Sequence, residues 1–203
     1  MKKYELIAEK SIEVFGTKLF RIRALVSFGS VSAGDEGGYV QSEKNCDMSG
    51  NAWVSGDARV YGDARVSGNA WVSGNAWVYG NALVSGDALV FGDALVFGDA
   101  MVYGNAMVYG DALVFGDAWV SGNASILWFS KVGGSLGTLT AFRNKDSGIT
   151  VTRGCFIGSL EEFRAAVIKT HGGTLHEKGY MGLANYIEFH FNELHPLTQG
   201  EQK

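Results

Sequence analysis

Proline and cysteine are scarce in this chain of 203 residues, which has one proline and two cysteines. The two cysteines, Cys46 and Cys155, cannot form a disulfide framework, so both are interpreted as reduced thiols. No apolar run reaches the roughly 18 residues that a membrane-spanning helix needs, so no membrane association is expected. The first residues, MKKYELIAEK, lack the apolar stretch of a secretory signal. The expected location is therefore the cytoplasm.

An excess of basic residues is also missing. The formal net charge is -4 and the sequence pI is about 5.6. Proteins that bind the phosphate backbone of DNA or RNA usually present clustered positive charge. Nucleic acid is therefore not an expected partner.

Glycine is abundant, with 29 residues, and its spacing is regular. From Gly50 to Leu127 the chain reads as 13 consecutive hexads without insertion or deletion. Each hexad has Gly, then Asn or Asp, then Ala, a variable residue, and Val or a final Ile. The sixth position is mostly Ser, Tyr or Phe. Such a strict period predicts a repeat architecture.

The composition of a hexad predicts one short strand and one corner. Gly followed by Asn or Asp tolerates positive φ and forms turns. Ala and Val are two residues apart, so their side chains point to the same side of an extended segment. Stacked coils about 4.8 Å apart would pair in parallel and bury the small residues that no single hexad could bury alone.

The run A-x-V-x-G-[ND] resembles the hexapeptide repeat of left-handed parallel β-helices, in which three hexads form one triangular coil. The resemblance implies slightly over four coils, and its left-handedness comes from the family rather than from the spacing. A right-handed solenoid remains the alternative. A weaker register could begin one hexad earlier, with Cys46 in the Ala position and Met48 in the Val position.

Three hexads per coil place residues 18 apart in one column, with the variable position and the position after Val facing outward. Ten of the 13 variable positions hold Trp, Leu or Met. A soluble monomer seldom exposes such a patch, so we expect a subunit interface. The family resemblance implies a homo-oligomer, with a trimer favoured. The predicted interface residues are Trp77, Tyr79, Leu95, Phe97, Leu113 and Phe115.

Asp and Asn also form columns, such as Asp57, Asn75, Asp93 and Asp111. The calcium-binding solenoid repeat has a period of nine, so turn formation with Asn easing carboxylate repulsion explains these columns better. No metal and no cofactor are expected.

The chain divides into a β capping segment (1–49), the repeat (50–127) and a C-terminal ββαα module (128–203). The first segment predicts two or three strands, with Gly16 in a turn. The module predicts a hairpin turning near 145–148 and a helix with Ser159 as N-cap, Glu162 completing a capping box and Gly172 as the stop. A second helix is expected from about His176 to Phe191. The fold class is thus mainly β, a parallel β-helix solenoid with flanking caps.

The overall arrangement resembles a group of hexapeptide-repeat proteins found in phages, prophages and gut bacteria and often labelled as transferases. The segments FRIRAL (20–25), AGDEGGYVQSEKN (33–45), the repeat, and RGCFIGSLEEF through KTHG (153–172) carry this resemblance. The group usually has Leu where this chain has Glu36. The resemblance places a phage-encoded protein in the host cytoplasm.

Two enzymatic mechanisms are alternatives to a binding function. An acyl-CoA-dependent acyltransferase needs a general base such as His, and the 13 hexads contain neither a His nor an inserted loop. A thiol mechanism would pair Cys155 with His171, but a helix of about 18 Å separates them. Cys155 is interpreted as a buried small hydrophobe and His171 as a cation at a helix C-terminus.

The favoured hypothesis is a non-enzymatic oligomeric solenoid that binds a small ligand or a host protein. A phage counter-defence role, sequestering a nucleotide-like immune signal, would fit this resemblance, and the acyltransferase is the alternative. Arg59 could bind a phosphate and Trp77 could stack on a base. An intramolecular cation–π contact between the two side chains is the preferred interpretation. The candidate ligand-binding residues are Arg59, Arg65, Trp77, Arg143 and Arg153.

Overall fold

A computed structural model describes residues 2–122 and 125–197. It is mainly β, with a parallel β-solenoid of about five coils, an antiparallel C-terminal sheet and two helices. The predicted fold class is confirmed.

The N-terminal segment forms three strands, β1 (Tyr4–Val14), β2 (Thr17–Ala24) and β3 (Glu36–Val40). β1 and β2 pair as an antiparallel hairpin through Phe15 and Gly16, which have φ of 47° and 77°. Positive φ at both turn residues is typical of a type I′ turn, which matches the twist of the flanking strands. The predicted strands and the Gly16 turn are confirmed.

The repeat forms twelve strands of two residues each. They are β4 (Trp53–Val54), β5 (Arg59–Val60), β6 (Arg65–Val66), β7 (Trp71–Val72), β8 (Trp77–Val78), β9 (Leu83–Val84), β10 (Leu89–Val90), β11 (Leu95–Val96), β12 (Met101–Val102), β13 (Met107–Val108), β14 (Leu113–Val114) and β15 (Trp119–Val120). Strands three apart in the chain pair in parallel and form three flat faces. Face A contains β5, β8, β11 and β14; face B contains β4, β7, β10 and β13; face C contains β6, β9, β12 and β15.

The solenoid interior consists of Ala and Val, as the hexad predicts. Every Ala and Val in these positions from Ala52 to Val120 is at most 1% exposed. Backbone pairing runs from coil to coil, with the N–H of Trp77 donating to the carbonyl of Ala94 at 2.9 Å. Neighbouring coils thus satisfy the backbone groups that an isolated hexad would leave open.

The solenoid begins before the hexads, and its first register differs from the prediction. Tyr39 and Val40 of β3 pair with Arg59 and Val60, which are 20 residues later. Cys46 forms a bridge with Val66, so it occupies the Val position and not the Ala position. The predicted register for Cys46 and Met48 is therefore wrong. A short 3-10 helix, Glu43–Asn45, precedes Cys46, and two extra residues separate Cys46 from the regular period.

Three side chains from the N-terminal segment cover the open edge of the first coils. Lys3 Nζ donates to the Ala52 carbonyl at 2.9 Å, and the Tyr4 hydroxyl donates to the Cys46 carbonyl at 2.7 Å. Asn45, fully buried, donates to the Ala64 carbonyl at 2.9 Å. These donors replace the N–H groups that a preceding coil would supply, so the first segment caps the solenoid as expected.

The C-terminal module contains four strands rather than the predicted two. They are β16 (Ile126–Val132), β17 (Gly137–Arg143), β18 (Ile149–Arg153) and β19 (Phe156–Ser159), paired in that order as an antiparallel sheet. The additional strands arise because β16 begins inside the last hexad and because a tight turn at Gly154 separates β18 from β19. The predicted turn at 145–148 is confirmed.

Two helices follow, α1 (Leu160–His171) and α2 (Leu175–Phe189), and a π-helical turn, His190–Leu194, extends the second. Ser159 and Glu162 form the predicted capping box, and Gly172 is the C-cap. The sheet covers the last coil, where the Leu113 N–H donates to Thr140 Oγ1 at 3.2 Å. Phe142 joins the solenoid core, so both ends of the solenoid are closed.

The N-terminal cap predicts a loss of stability at alkaline pH. Burial raises the pKa of the Cys46 thiol from 9.0 to about 12, and burial also raises the pKa of the Tyr4 hydroxyl. Both groups keep their protons in the folded chain at a pH where the unfolded chain loses them. The stabilisation from each group is therefore complete below its pKa in the unfolded chain, which is 9.0 for the thiol and 10.0 for the hydroxyl. Above that pH it declines by about 1.4 kcal/mol per pH unit until the folded group also loses its proton.

Lys3 opposes this trend, since burial lowers its pKa from 10.5 and its contribution improves as the pH rises toward that value. The free energy of unfolding in urea, measured from pH 8 to 11, isolates the thiol when wild type is compared with Cys46→Ala. We expect the free energy of unfolding to decline less steeply above pH 9 in the variant, by the roughly 1.4 kcal/mol per pH unit that the thiol contributes. Identical slopes would contradict the assignment of a shifted pKa to Cys46.

Candidate functional site

Face A carries a continuous column of stacked aromatic rings in the position after Val. Tyr61 and Tyr79 have ring centroids 5.2 Å apart, Tyr79 and Phe97 4.8 Å, and Phe97 and Phe115 4.9 Å. The rings are parallel to within 6°. The spacing equals the separation of paired strands, so the backbone itself sets the stack. We call these four residues the aromatic ladder.

A second column, of variable-position residues, runs beside the ladder on face A. Arg59, Trp77, Leu95 and Leu113 are paired in register and are each partly exposed. Phe15, at the tip of the β1–β2 hairpin, is 88% exposed, and its ring lies 6.0 Å from that of Trp77. From Tyr61 to Phe115, the outward side chains of face A are thus apolar or aromatic.

Faces B and C lack an uninterrupted ladder within the described residues. On face B the corresponding positions are Ser55, Ser73, Phe91 and Tyr109, and only the last two are aromatic. The Tyr109 ring also packs against Trp128 of β16, with centroids 4.3 Å apart. On face C these positions hold Ser67, Ser85, Tyr103 and Ser121. Among the described residues, face A is therefore the solenoid face with a continuous aromatic ladder, although the variable positions of face B (Trp53, Trp71, Leu89 and Met107) are apolar as well.

The two arginines of the repeat lie on different faces. The Arg59 guanidinium carbon is 4.8 Å from the centroid of the Trp77 ring, which confirms the intramolecular cation–π interpretation. Arg65 is exposed on face C. The fold does not bring the two arginines together as a single phosphate-binding pair.

The Asn and Asp columns are held by side-chain hydrogen bonds between coils. The amide of Asn75 donates to Asp93 at 3.0 Å, and that of Asn81 donates to Asp99 at 2.8 Å. The amide nitrogen thus satisfies the carboxylate of the next coil, as the turn interpretation of these columns requires. Among the described residues there is no group of three or more His, Cys, Asp or Glu that could hold a metal ion.

Arg143 and Arg153, the candidate ligand-binding residues of the C-terminal sheet, differ in their surroundings. Arg143 is buried, donates to the carbonyls of Ser147 and Phe191, and lies over the Phe191 ring. It therefore joins the β17–β18 turn to the C-terminal π-helical turn. Arg153 is partly exposed at the end of β18 and lines an open cleft.

This cleft lies between the β18–β19 turn and α1 and has a volume of about 280 Å³. Its apolar wall is formed by Phe156, Phe163, Ala166, Val167 and Tyr180, and its polar rim by Ser135, Arg153, Cys155, Thr170 and His171. We call it the C-terminal cleft.

The prediction that Cys155 is buried is wrong. The thiol is exposed rather than buried, and it lines the same cleft as His171. The helix length was correct, but β19 runs away from the Gly154–Cys155 turn and α1 then runs back. Four strand residues extend about 13 Å and twelve helical residues about 18 Å, so the helix end returns to the turn. The short R-G-C-F turn, with Gly154 at φ of 59°, was the signal for this geometry.

His171 also contacts two neighbours from α2. Its ring is stacked on Tyr180 with centroids 5.5 Å apart, and the His176 ring is 5.7 Å away. Tyr180 in turn packs edge-on against Phe163, which is buried. The side chains around the cleft are therefore fixed by ring contacts between the two helices. All four histidines of the chain lie in this module, and none projects from a solenoid face.

None of the helices in the described part of the chain is both long and apolar enough to span a bilayer. The comparisons with known proteins concern the solenoid alone. A family model described as YdcK Beta solenoid repeat matches residues 58–74, 100–114 and 106–122. No curated protein matches the chain. The matched stretches lie within the coils. The matched family is a β-solenoid repeat, so the resemblance to the hexapeptide transferase group is not confirmed. Together with the stacked parallel strands, the match identifies a β-solenoid repeat protein.

Proposed function

We propose that this protein is a homo-oligomeric binding scaffold in which copies of the chain, three in the favoured arrangement, pack through face A. The observation that carries the proposal is the aromatic ladder, whose four rings form a regular, partly exposed apolar strip. Contiguous apolar surface of this kind on a folded chain marks an interaction site.

A second copy of the chain is the occupant that fits face A best. The ladder repeats every 4.8 to 5.2 Å, and another copy of the same face presents apolar groups at the same interval. Apart from Arg59, the outward positions of this face from Arg59 to Phe115 carry no charge, so a neighbouring copy would meet little repulsion there. The Asp and Asn columns lie at the corners that border the face.

The size of face A favours three copies over two. Five coils are about 24 Å high and one hexad side is about 18 Å wide, so two copies would bury on the order of 900 Å² in total. This value is below the roughly 1,000 Å² that a biological interface should exceed and well below the roughly 1,200–2,000 Å² of standard specific interfaces. Three copies around one axis would form three contacts instead of one, and Phe15 adds apolar area beside Trp77.

We further propose that the assembly binds a small ligand or a host partner without turnover, and that a nucleotide-like signal is the first ligand class to test. Rigid solenoids place fixed grooves between subunits, and a preformed groove lowers the ordering cost of binding. The resemblance to the phage group supports a counter-defence role. Thermal shift with cyclic and linear nucleotides should raise the unfolding temperature, with no product formed. Stabilisation by acetyl-CoA together with acyl transfer would support the acyltransferase instead.

Light scattering coupled to size-exclusion chromatography tests the assembly. We expect a particle of about three times the chain mass of 21.8 kDa at micromolar concentration. A strictly monomeric species across this range would contradict the proposal.

A further inference from the structure

We propose that the C-terminal cleft binds a small organic anion, a carboxylate on an aromatic or branched apolar body, with Arg153 as its charged contact. This site lies outside the solenoid and does not depend on assembly through face A. The inference is drawn from the charge, the shape and the fixed walls of the cleft.

The charge of the cleft is positive and uncompensated. Arg153 is the permanent cation among its lining residues, His171 is the second basic group, and no Asp or Glu lines it. No carboxylate lies within ion-pair distance of Arg153 in the part of the chain that the structure describes. Its Nε atom is buried and has no hydrogen-bond partner there. A guanidinium without a carboxylate partner at a partly desolvated position favours a bound anion.

The guanidinium is held in place by the neighbouring strand connection. Arg153 Nη2 donates to Ser135 Oγ at 2.8 Å and to the Val132 carbonyl. These bonds orient the group, so little ordering would be needed on binding. Both N–H groups of Nη2 are used in these bonds and Nε is buried, so Nη1 is the donor left for one oxygen of a carboxylate.

The opposite wall of the cleft selects an apolar body. Phe156 and Phe163 have ring centroids 5.4 Å apart, and Phe163 contacts Tyr180 at 5.9 Å. Val167 lies one helical turn from Phe163 on the same side of α1. The volume of about 280 Å³ is at the lower end for small-molecule sites, which favours a ligand about the size of one aromatic ring with a short acid arm.

Cys155 provides a direct measurement, because it lines the cleft and is exposed whereas Cys46 is fully buried. The rate at which a chromogenic disulfide reagent labels Cys155 would be measured on the full-length protein with increasing 3-phenylpropionate. At ten times its Kd, the ligand should slow labelling about tenfold. The neutral amide, 3-phenylpropionamide, should need at least about ten times the concentration for the same protection.

Two variants and one control make this test specific. Arg153→Lys should raise the concentration needed for protection about tenfold or more, because one ammonium group cannot hold Ser135 and the Val132 carbonyl and also present the oriented donor that Nη1 provides. Ala166→Phe should fill the cleft and abolish the effect of the ligand. Ala165→Phe, one residue away and exposed on α1, should leave protection unchanged.

Equal protection by acid and amide would overturn the proposal, and so would no protection at millimolar concentrations. Stronger protection by phenyl phosphate would reassign the ligand to phosphate esters and overturn the carboxylate. Protection should be the same in a Phe97→Lys variant, whose change lies on face A, so failure of this site and failure of assembly are distinguishable.

Discussion

Phe97→Lys is expected to dissociate the oligomer. Phe97 lies in the middle of the aromatic ladder, with parallel rings on both sides at 4.8 and 4.9 Å. In an assembly through face A, a lysine at this position would place a charge in an apolar contact. We expect a loss of about 3 kcal/mol per contact, which weakens association about a hundredfold. Sedimentation velocity across a dilution series measures the change.

Phe91→Lys is the matched control on face B. Phe91 occupies the same hexad position, is partly exposed to a similar degree and also stacks on a ring, that of Tyr109. We expect this variant to sediment like wild type. Equal dissociation of the two variants, with both folded by circular dichroism, would mean that face A has no special role.

Gly74→Ala should cause a large loss of stability at a regular corner in the middle of the solenoid. Gly74 has φ of 67°, and a Cβ there would lie 2.9 Å from the backbone nitrogen of Gly92 in the next coil. Since that backbone is fixed by pairing on either side, the coils must separate. We expect a cost above about 4 kcal/mol, a decrease in the unfolding temperature of more than about 10 °C.

Gly116→Ala separates backbone strain from steric clash. Gly116 has the same φ of 67°, but a Cβ at this position meets no atom within 4 Å. Only the strain of the left-handed conformation remains, about 1 to 2 kcal/mol. Thermal unfolding of both variants at one protein concentration checks the difference. Equal decreases would show that coil separation at the corners does not limit stability.

The solenoid could be predicted because one period fixes several properties together. In each hexad, Gly sets the corner, Ala and Val set the interior, and the intervening residue sets the outer face. The strand pairing of Trp77 with Leu95 and of Leu95 with Leu113 follows from the spacing of 18. The mutual orientation of the ladder rings also follows, because residues in one column inherit the parallel backbone.

The ends of the solenoid could not be predicted in the same way. Val40 and Cys46 belong to coils whose spacing departs from six, so the period gives no register for them. Their positions depend on tertiary contacts such as the bond from Tyr4 to the Cys46 carbonyl. Here long-range packing decides the register, and local pattern does not.

The C-terminal cleft was missed for a related reason. Cys155 and His171 are 16 residues apart, and their distance in space depends on the direction of one short strand. The helix caps were visible in the sequence because Ser159 and Glu162 act locally, whereas the return of α1 along the sheet depends on a turn of two residues. Gly154 and Cys155 form this turn, and it is not predicted from the sequence.

Hydroxyl-radical footprinting of the wild-type protein, read by mass spectrometry, tests the central claim most directly. It measures the solvent contact of individual side chains without a mutation. At concentrations where the oligomer forms, we predict that Phe97 and Phe115 are oxidised several times more slowly than Phe91, and that the difference disappears on dilution. Equal oxidation of the three phenylalanines at every concentration would contradict assembly through face A.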